Sequence, residues 1–273
     1  MTRTQKEKIG EFQKTVWDFY QKNQRSFPWR KTKNPYRILV SEVMLQQTQA
    51  DRVVRYYEAF LKRFPNVETL AAASFADIYE LWQGLGYNRR AMNLKKAAEK
   101  SVNEFKGKFP KDPVTLETFP GIGPYTAKAV AIFSANYPIA CIETNIRRVF
   151  IHHFFKNKKQ ISDESIMRLA EASLDAQHSR EWHWALMDYG AYLKTIVENP
   201  NRRHKNYLVQ SKFEGSRRQA RGVILRFLSA KNSKLPEISR KTSQTVADAK
   251  ALLNVMEKEG LVMYNNKTKQ YSL

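Results

Sequence analysis

Apolar residues recur at intervals of three and four along the chain as far as about residue 210, the spacing of one buried helix face. The pattern is plain in Ile9-Phe12-Val16-Phe19 and in Val53-Tyr56-Tyr57-Phe60-Leu61. It returns in Leu94-Ala97-Ala98-Val102-Phe105 and Ile166-Leu169-Ala170-Ala172-Leu174. Proline and glycine punctuate it at Phe27-Pro28, Phe64-Pro65, Gly84 to Gly86, Phe109-Pro110 and Pro120 to Pro124. Ser74 followed by Asp77 has the spacing of a capping box that opens a helix. No pair of alternating segments interrupts this region, so it is predicted to be all-α. Chain order predicts two helical lobes, one from Pro35 to Ala135, the other joining the N-terminal helix to Glu143 through Tyr192.

Polar and basic residues dominate from Glu198 to Gly215, and a different plan follows. A helix is predicted from Arg217 to Leu228, a short segment around Leu235 to Ser239, and a second helix from Gln244 to Glu259 that stops at Gly260. Leu261-Val262-Met263-Tyr264 and Gln270-Tyr271-Ser272-Leu273 then flank the turn-like Asn265-Asn266-Lys267-Thr268. Three helical segments and a terminal hairpin are the order of a winged helix, a module that binds DNA or protein. The chain thus divides into a helical domain (1–198), a basic linker (199–215) and a winged-helix domain (216–273).

Charge narrows the partners. Of 273 residues, 47 are Lys or Arg and 26 are Asp or Glu, a formal charge of +21. Such a surplus attracts a polyanion, nucleic acid or an anionic membrane. No apolar run approaches the roughly 20 residues of a spanning helix, and MTRTQKEKIG is no signal peptide. Nucleic acid is the expected partner, bound by a monomer in the cytoplasm at the nucleoid. The one cysteine, Cys141, lies in the apolar Ile139-Ala140-Cys141-Ile142 and reads as a buried thiol. It builds no disulfide, zinc site or iron–sulfur cluster, so no cofactor is expected.

Three strings carry chemistry. In Leu116 through Ala127, Gly121 and Gly123 flank Ile122 between two helical patterns. Such a hairpin turns tightly and aims unpaired amides at a phosphate from the start of the next helix. In Ile38 through Gln49, Glu42 interrupts a nearly apolar helical run. A desolvated carboxyl there has a raised pKa and can act as a general acid, whereas most helical glutamates lie on solvated faces. Glu143 has similar company between Ile142 and Asn145-Ile146-Arg147-Arg148. Its alternative is a structural one, capping a helix or pairing with Arg147 or Arg148. Two carboxylates in apolar settings suit glycosidic cleavage, one protonating the leaving group and one stabilising a sugar cation.

Ser41 through Gln49, Gly84-Leu85-Gly86-Tyr87, the hairpin and Asn145-Ile-Arg147-Arg148-Val149, in that order, resemble adenine DNA glycosylases of the MutY type within the helix-hairpin-helix superfamily. The similarity covers roughly Phe12 to Gly190. It implies a two-lobed all-α fold with the DNA cleft between the lobes, acting on duplex DNA that carries a mispaired or damaged base. Glu42 matches the glutamate that protonates adenine. Gln47 and Thr48 match residues that enter the duplex where the base has flipped out, and Tyr87 matches the intercalating tyrosine. Arg25, Trp29 and Arg30 match the lining of the adenine pocket. Gly121, Ile122 and Gly123 take the phosphate-binding role.

Several positions depart from the family. Its catalytic aspartate falls at Glu143, one methylene longer. A Gln or Glu that touches adenine falls at Trp184, which leaves the base open, since stacking is less selective than hydrogen bonding. The four-cysteine cluster loop falls at Lys194, Asn201, His204 and Gln210, so no cluster is expected. Arg202, Arg203 and Lys205 remain there to grip phosphate. The domain that checks the opposite 8-oxoguanine has no counterpart, and the winged helix stands in its place. Tyr125 occupies the position at which strand-cleaving relatives such as endonuclease III carry a lysine nucleophile, so a glycosylase without lyase activity is expected. Lys128, one turn on, reads as solvated or phosphate-facing. Three readings stay open: adenine removal opposite guanine or 8-oxoguanine; thymine or uracil removal by the same fold; and a catalytically idle protein that recognises distorted DNA.

Overall fold

The computed structural model describes residues 3–209 and 212–273, and nearly all regular structure in them is helical. In chain order the helices are α1 (Arg3–Asn23), α2 (Pro35–Leu45), α3 (Ala50–Arg63), α4 (Val67–Ala72), α5 (Phe75–Trp82) and α6 (Arg89–Phe105). They continue with α7 (Pro113–Glu117), α8 (Pro124–Ala135), α9 (Thr144–Phe154), α10 (Asp163–Ala172) and α11 (Ser179–Ile196). α12 (Arg217–Ala230), α13 (Leu235–Thr242) and α14 (Val246–Lys258) precede an antiparallel pair, β1 (Met263–Asn265) and β2 (Gln270–Ser272). Among the described residues no helix is long and apolar enough to cross a membrane.

The chain forms two compact units, each assembled from separate stretches. The first contains α1 and the helices α7 to α11. α1 buries Ile9, Phe12 and Val16, and the Phe12 ring meets those of Phe150 at 5.2 Å and Trp182 at 6.0 Å. α8 was expected in the lobe that begins at Pro35, but Ile122–Val209 groups with the N-terminal helix. The reason is its composition. Ala127 and Ala129 through Ser134 are all buried, and a helix apolar on every side needs cover on every side.

The second unit holds α3 to α6 and, beyond Val209, α12 to α14 with the strand pair. α3 is strongly amphipathic and buries Val53, Tyr57 and Phe60. Ser74 caps α5 by accepting from the Asp77 amide, which satisfies one of the donors a helix start leaves open. In the C-terminal stretch the first helix extends past Leu228 to Ala230, and the segment around Leu235 is itself a helix with Pro236 in its first turn. Proline there costs nothing, because that amide has no helical partner anyway. Ser233 adds one antiparallel rung to Tyr271 through two backbone bonds of 3.1 and 2.9 Å.

Candidate active site

In the second unit, α2 carries Glu42 inward. The carboxylate residue is 6% exposed, between Ser41 at 1% and Val43 at 5%. α2 ends at Leu45, and the tight turn that follows sets Gln47 in left-handed backbone, with φ 59°. Thr48 closes the turn by donating its amide to Leu45 O at 3.2 Å. A second turn, Gly84 to Asn88, sets Tyr87 at φ 50°, and the residue is 40% exposed. Non-glycine residues avoid this region at roughly 1–2 kcal/mol each, so both turns are held by something.

That holding group is Arg90. Its Nη1 donates to the carbonyls of Val43 at 2.7 Å and Met44 at 3.1 Å, and also to that of Gln46. Its Nη2 donates to Leu85 O at 3.2 Å and Gly86 O at 3.0 Å. One guanidinium therefore caps the end of the Glu42 helix and ties it to the Tyr87 turn. The Arg90 guanidinium also lies over the rings of Trp82 at 5.6 Å and Tyr87 at 5.5 Å. Burial lowers its pKa to about 10, still far above neutrality. In the sequence Arg90 stands in Asn88-Arg89-Arg90, and no motif singles it out. The overlooked signal is its spacing of four, seven and eight from Leu94, Ala97 and Ala98, which places it on the buried stripe of α6.

In the first unit, Arg25, Trp29, Arg30 and Trp184 come together around Asp188, to which the sequence reading gave no role. Arg30 grips the Asp188 carboxylate through both terminal nitrogens at 2.8 Å, and Arg25 Nε reaches it at 2.7 Å. Burial raises the Asp188 pKa, but the Arg30 pair and then Arg25 outweigh it and hold the carboxyl below its ordinary value. Arg30 also lies over Phe27 and Trp184, both at 5.4 Å. Trp184 stacks on Phe133 at 5.8 Å, and Trp29 is buried against Phe27 at 4.9 Å. Arg30 and Trp29 are thus committed to the wall; Arg25 and Trp184 keep partial exposure.

Glu143 is the N-cap of α9. Its Oε1 accepts from the amides of Asn145 at 2.6 Å and Ile146 at 2.8 Å, and its Oε2 from Asn145 Nδ2 at 3.2 Å. Burial pushes its pKa up, against the pull of those two amides and of Arg148 and Arg147. The arginines are engaged elsewhere: Arg147 with Asp163 at 2.7 and 3.0 Å, Arg148 with Asn145 Oδ1 at 2.7 Å and Gly190 O at 2.6 Å. Upstream, the Cys141 amide donates to Nε2 of buried His183, whose Nδ1 bonds Ser179 O at 2.6 Å. Burial lowers the His183 pKa to about 4, so this ring anchors the approach to Glu143 as a neutral imidazole. Where α9 passes α11, a Cβ on Gly190 would lie 2.3 Å from Asn145 O. Only glycine permits that approach.

The hairpin turns as its glycines require. Gly121 has φ 75°, and Gly123 caps α8 without a side-chain bond. Gly123 is exposed and Ile122 buried. Tyr125 is partly buried in the first turn of α8, and Lys128 Nζ reaches Ala140 O at 3.5 Å.

The positions of the family's cluster ligands hold no thiol and do different work. Asn201 Nδ2 donates to Thr144 O at 2.9 Å, at the start of α9. Arg203, expected to meet DNA, instead caps the end of α9 through Ile151 O at 3.3 Å and the carbonyls of Phe155 and Lys156. His204 Nδ1 accepts from Asn206 N, and its Nε2 lies 3.2 Å from Asp163 Oδ1. Lys194 is exposed, and Gln210 lies outside the described residues. Lys194, Asn201 and His204 offer an ammonium, an amide and an imidazole where an iron–sulfur cluster takes thiolates, so these residues do not fit one. Arg202, paired with Glu198 at 2.8 Å, and Lys205 remain exposed.

Residues 40–175 match the model of the HhH-GPD superfamily base excision DNA repair protein. The chain is similar to the adenine DNA glycosylase of Buchnera aphidicola subsp. Baizongia pistaciae, 36% identical over 191 residues, which are 69% of this chain and 54% of that protein. Against the adenine DNA glycosylase of Homo sapiens it is 31% identical over 199 residues, 68% of this chain and 36% of that one. The chain spans about half the length of the relatives it matches, or less. Among solved structures, a thermostable thymine-DNA glycosylase superposes with a TM-score of 0.62 at 28% identity, over 68% of this chain and 87% of that chain.

Proposed function

This chain belongs to the HhH-GPD superfamily of base excision DNA repair proteins, and we propose that it is a DNA glycosylase. It releases a mispaired base flipped out of the duplex, with adenine opposite guanine or 8-oxoguanine as the substrate. The observation that carries the reading is the Arg90 hub, which binds the helix of Glu42 to the turns that present Gln47 and Tyr87. Acid and inserting residues are built as one rigid piece, as a reaction on an extruded base requires.

Glu42 gives its proton to a ring nitrogen of the base as the bond to the sugar C1′ breaks. The Glu143 carboxylate stabilises the positive charge that grows on the sugar. A water oxygen then adds to C1′, and its proton restores the Glu42 carboxyl. Tyr125 offers no amine, so no Schiff base forms and the strand stays intact. With a single cysteine, Cys141, the chain lacks the thiolates that hold an iron–sulfur cluster, and no step is assigned to one. Gln47, Thr48 and Tyr87 fill the gap in the duplex, while Gly121 to Gly123, Lys128, Arg202 and Lys205 meet phosphates.

A second substrate, thymine opposite guanine, is favoured by Trp184, which presents a stacked ring instead of a hydrogen-bonding side chain. Duplexes with single A·G, A·8-oxoguanine, T·G and U·G pairs, incubated with the protein and then treated with alkali, decide between them. Strand breaks are expected at adenine after alkali and none before it. Glu42→Gln is expected to bind as well as wild type and to lose base release by about 10²–10⁴-fold, the usual worth of a general acid. Release from no duplex would overturn the proposal, and wild-type rates in the Gln variant would remove Glu42 from the mechanism.

A further inference from the structure

The C-terminal stretch presents two helices of different electrical character. α12 carries Arg217, Arg218, Arg221 and Arg226 with no acidic residue. α14, which occupies the place of the groove-reading helix in a helix-turn-helix order, sets Lys250 and Lys258 against Asp248 and Glu257. The exposed side of α14 also carries Val246 and Val255, each about half exposed. A face without net charge gains little from a phosphate backbone.

α12 lies beside the turn that presents Tyr87. Arg218 Nη1 donates to Tyr87 Oη at 3.1 Å. One turn on, Arg221 pairs with Glu259, whose other oxygen lies 3.9 Å from Arg89 at the start of α6. A Cβ on Gly260 would touch the side chains of Met92 and Lys96. The end of α14 is thereby fixed against α6, and the start of α12 is fixed at Tyr87. Arg217 is exposed there, and the Arg89 side chain is 67% exposed.

We propose that Arg217 and Arg218 of α12, with Arg89 of α6, form a duplex-binding surface continuous with Tyr87, so that the C-terminal stretch grips DNA phosphates through its first helix and not through α14. This rests on the reading that Tyr87 enters a DNA duplex. Arg218 then does two things: it steadies the tyrosine hydroxyl before binding and meets the backbone that flanks the insertion point.

The test uses the full chain, fluorescence anisotropy on a fluorescent matched duplex and its A·G counterpart, and a series of salt concentrations. Arg217→Ala/Arg218→Ala is expected to weaken binding to both duplexes by about tenfold or more and to flatten the plot of log affinity against log salt by about 2, near 0.9 per phosphate contact. Lys250→Ala/Lys258→Ala is expected to change neither quantity. If the double arginine variant shifts the unfolding midpoint, Arg217→Ala alone carries the measurement, with about half the loss of slope. A wild-type slope in the arginine variants, or an equal loss in the α14 variant, overturns the proposal. So does Tyr87→Phe if it reproduces the whole loss, because Arg218 would then serve only the tyrosine. Base release by the wild type is scored separately. A chain that releases no base yet loses its salt dependence with α12 keeps this surface and loses the glycosylase reading, and the reverse result does the opposite.

Discussion

Glu143 holds two backbone amides and one side-chain amide with a carboxylate that is expensive to ionise where it lies. Its folded pKa is raised, so the site's stabilising contribution is fully present below the unfolded value of 4.5 and is lost as pH rises through the folded value. Glu143→Gln keeps an oxygen for both backbone amides and cannot ionise. Its stability relative to wild type should therefore improve from acid toward neutral pH, followed by unfolding midpoints across that range, while base release collapses. Glu143→Asp, a good cap that keeps the charge, should retain release within about tenfold, roughly 1.4 kcal/mol of barrier. A Gln variant with wild-type single-turnover rates would end the two-carboxylate mechanism. Arg90 makes a different prediction. Arg90→Met keeps the packing stem and removes a donor from five carbonyls; Gly86 O keeps Trp82 Nε1 and Gln46 O keeps Thr48 Oγ1, so the loss falls on Val43, Met44 and Leu85. Each buried carbonyl left unpaired costs about 1–3 kcal/mol, and relaxation and water recover part, so a loss of about 3 kcal/mol is expected. Base release, measured well below the unfolding midpoint, should fall further than the folded fraction. Rates that merely track the folded fraction would show that the hub is structural only.

At the scale of elements, the approach of α11 to α9 opposes two effects of known size. Replacing a mid-helix glycine by alanine normally gains about 1 kcal/mol in helix propensity. At Gly190 the added carbon meets a backbone carbonyl at 2.3 Å, which the helices relieve only by moving apart. Such overpacking costs about 1–3 kcal/mol, and the displaced carbonyl belongs to Asn145, inside the turn that Glu143 caps. Gly190→Ala is expected to lower the unfolding midpoint and to slow base release. A raised midpoint would mean that α11 slides without resistance. Little of this was legible in the sequence. Periodicity announces that α9 and α11 exist and which faces are apolar, but Gly190 lies in an ordinary helical run, and its closeness to Asn145 belongs to packing. The Ser74–Asp77 cap was legible because its donor and acceptor lie within one turn.

For the whole molecule, the same division between near and far holds. Ser41 through Gln49 and Gly121-Ile122-Gly123 stand out as strings because their residues are continuous in the chain. The grip of Arg30 on Asp188 spans 158 positions, and two charges so far apart look like two solvated residues until the fold joins them. The surplus of +21 was equally plain, but it could not say which cations meet DNA; Arg203 turned out to serve the end of α9. Asn201 and Arg203 hold the two ends of α9 with bonds that have no electron to lose and no metal to surrender, whereas thiolate-held iron is open to oxidants and to competition for the metal. Treatment with hydrogen peroxide or a strong iron chelator is expected to leave base release and the unfolding midpoint unchanged. Loss of either under chelation alone would show a metal in the working protein. If both stay unchanged, the proposed base excision, with Cys141 buried, continues while oxygen radicals are producing the lesions, and through iron starvation as well.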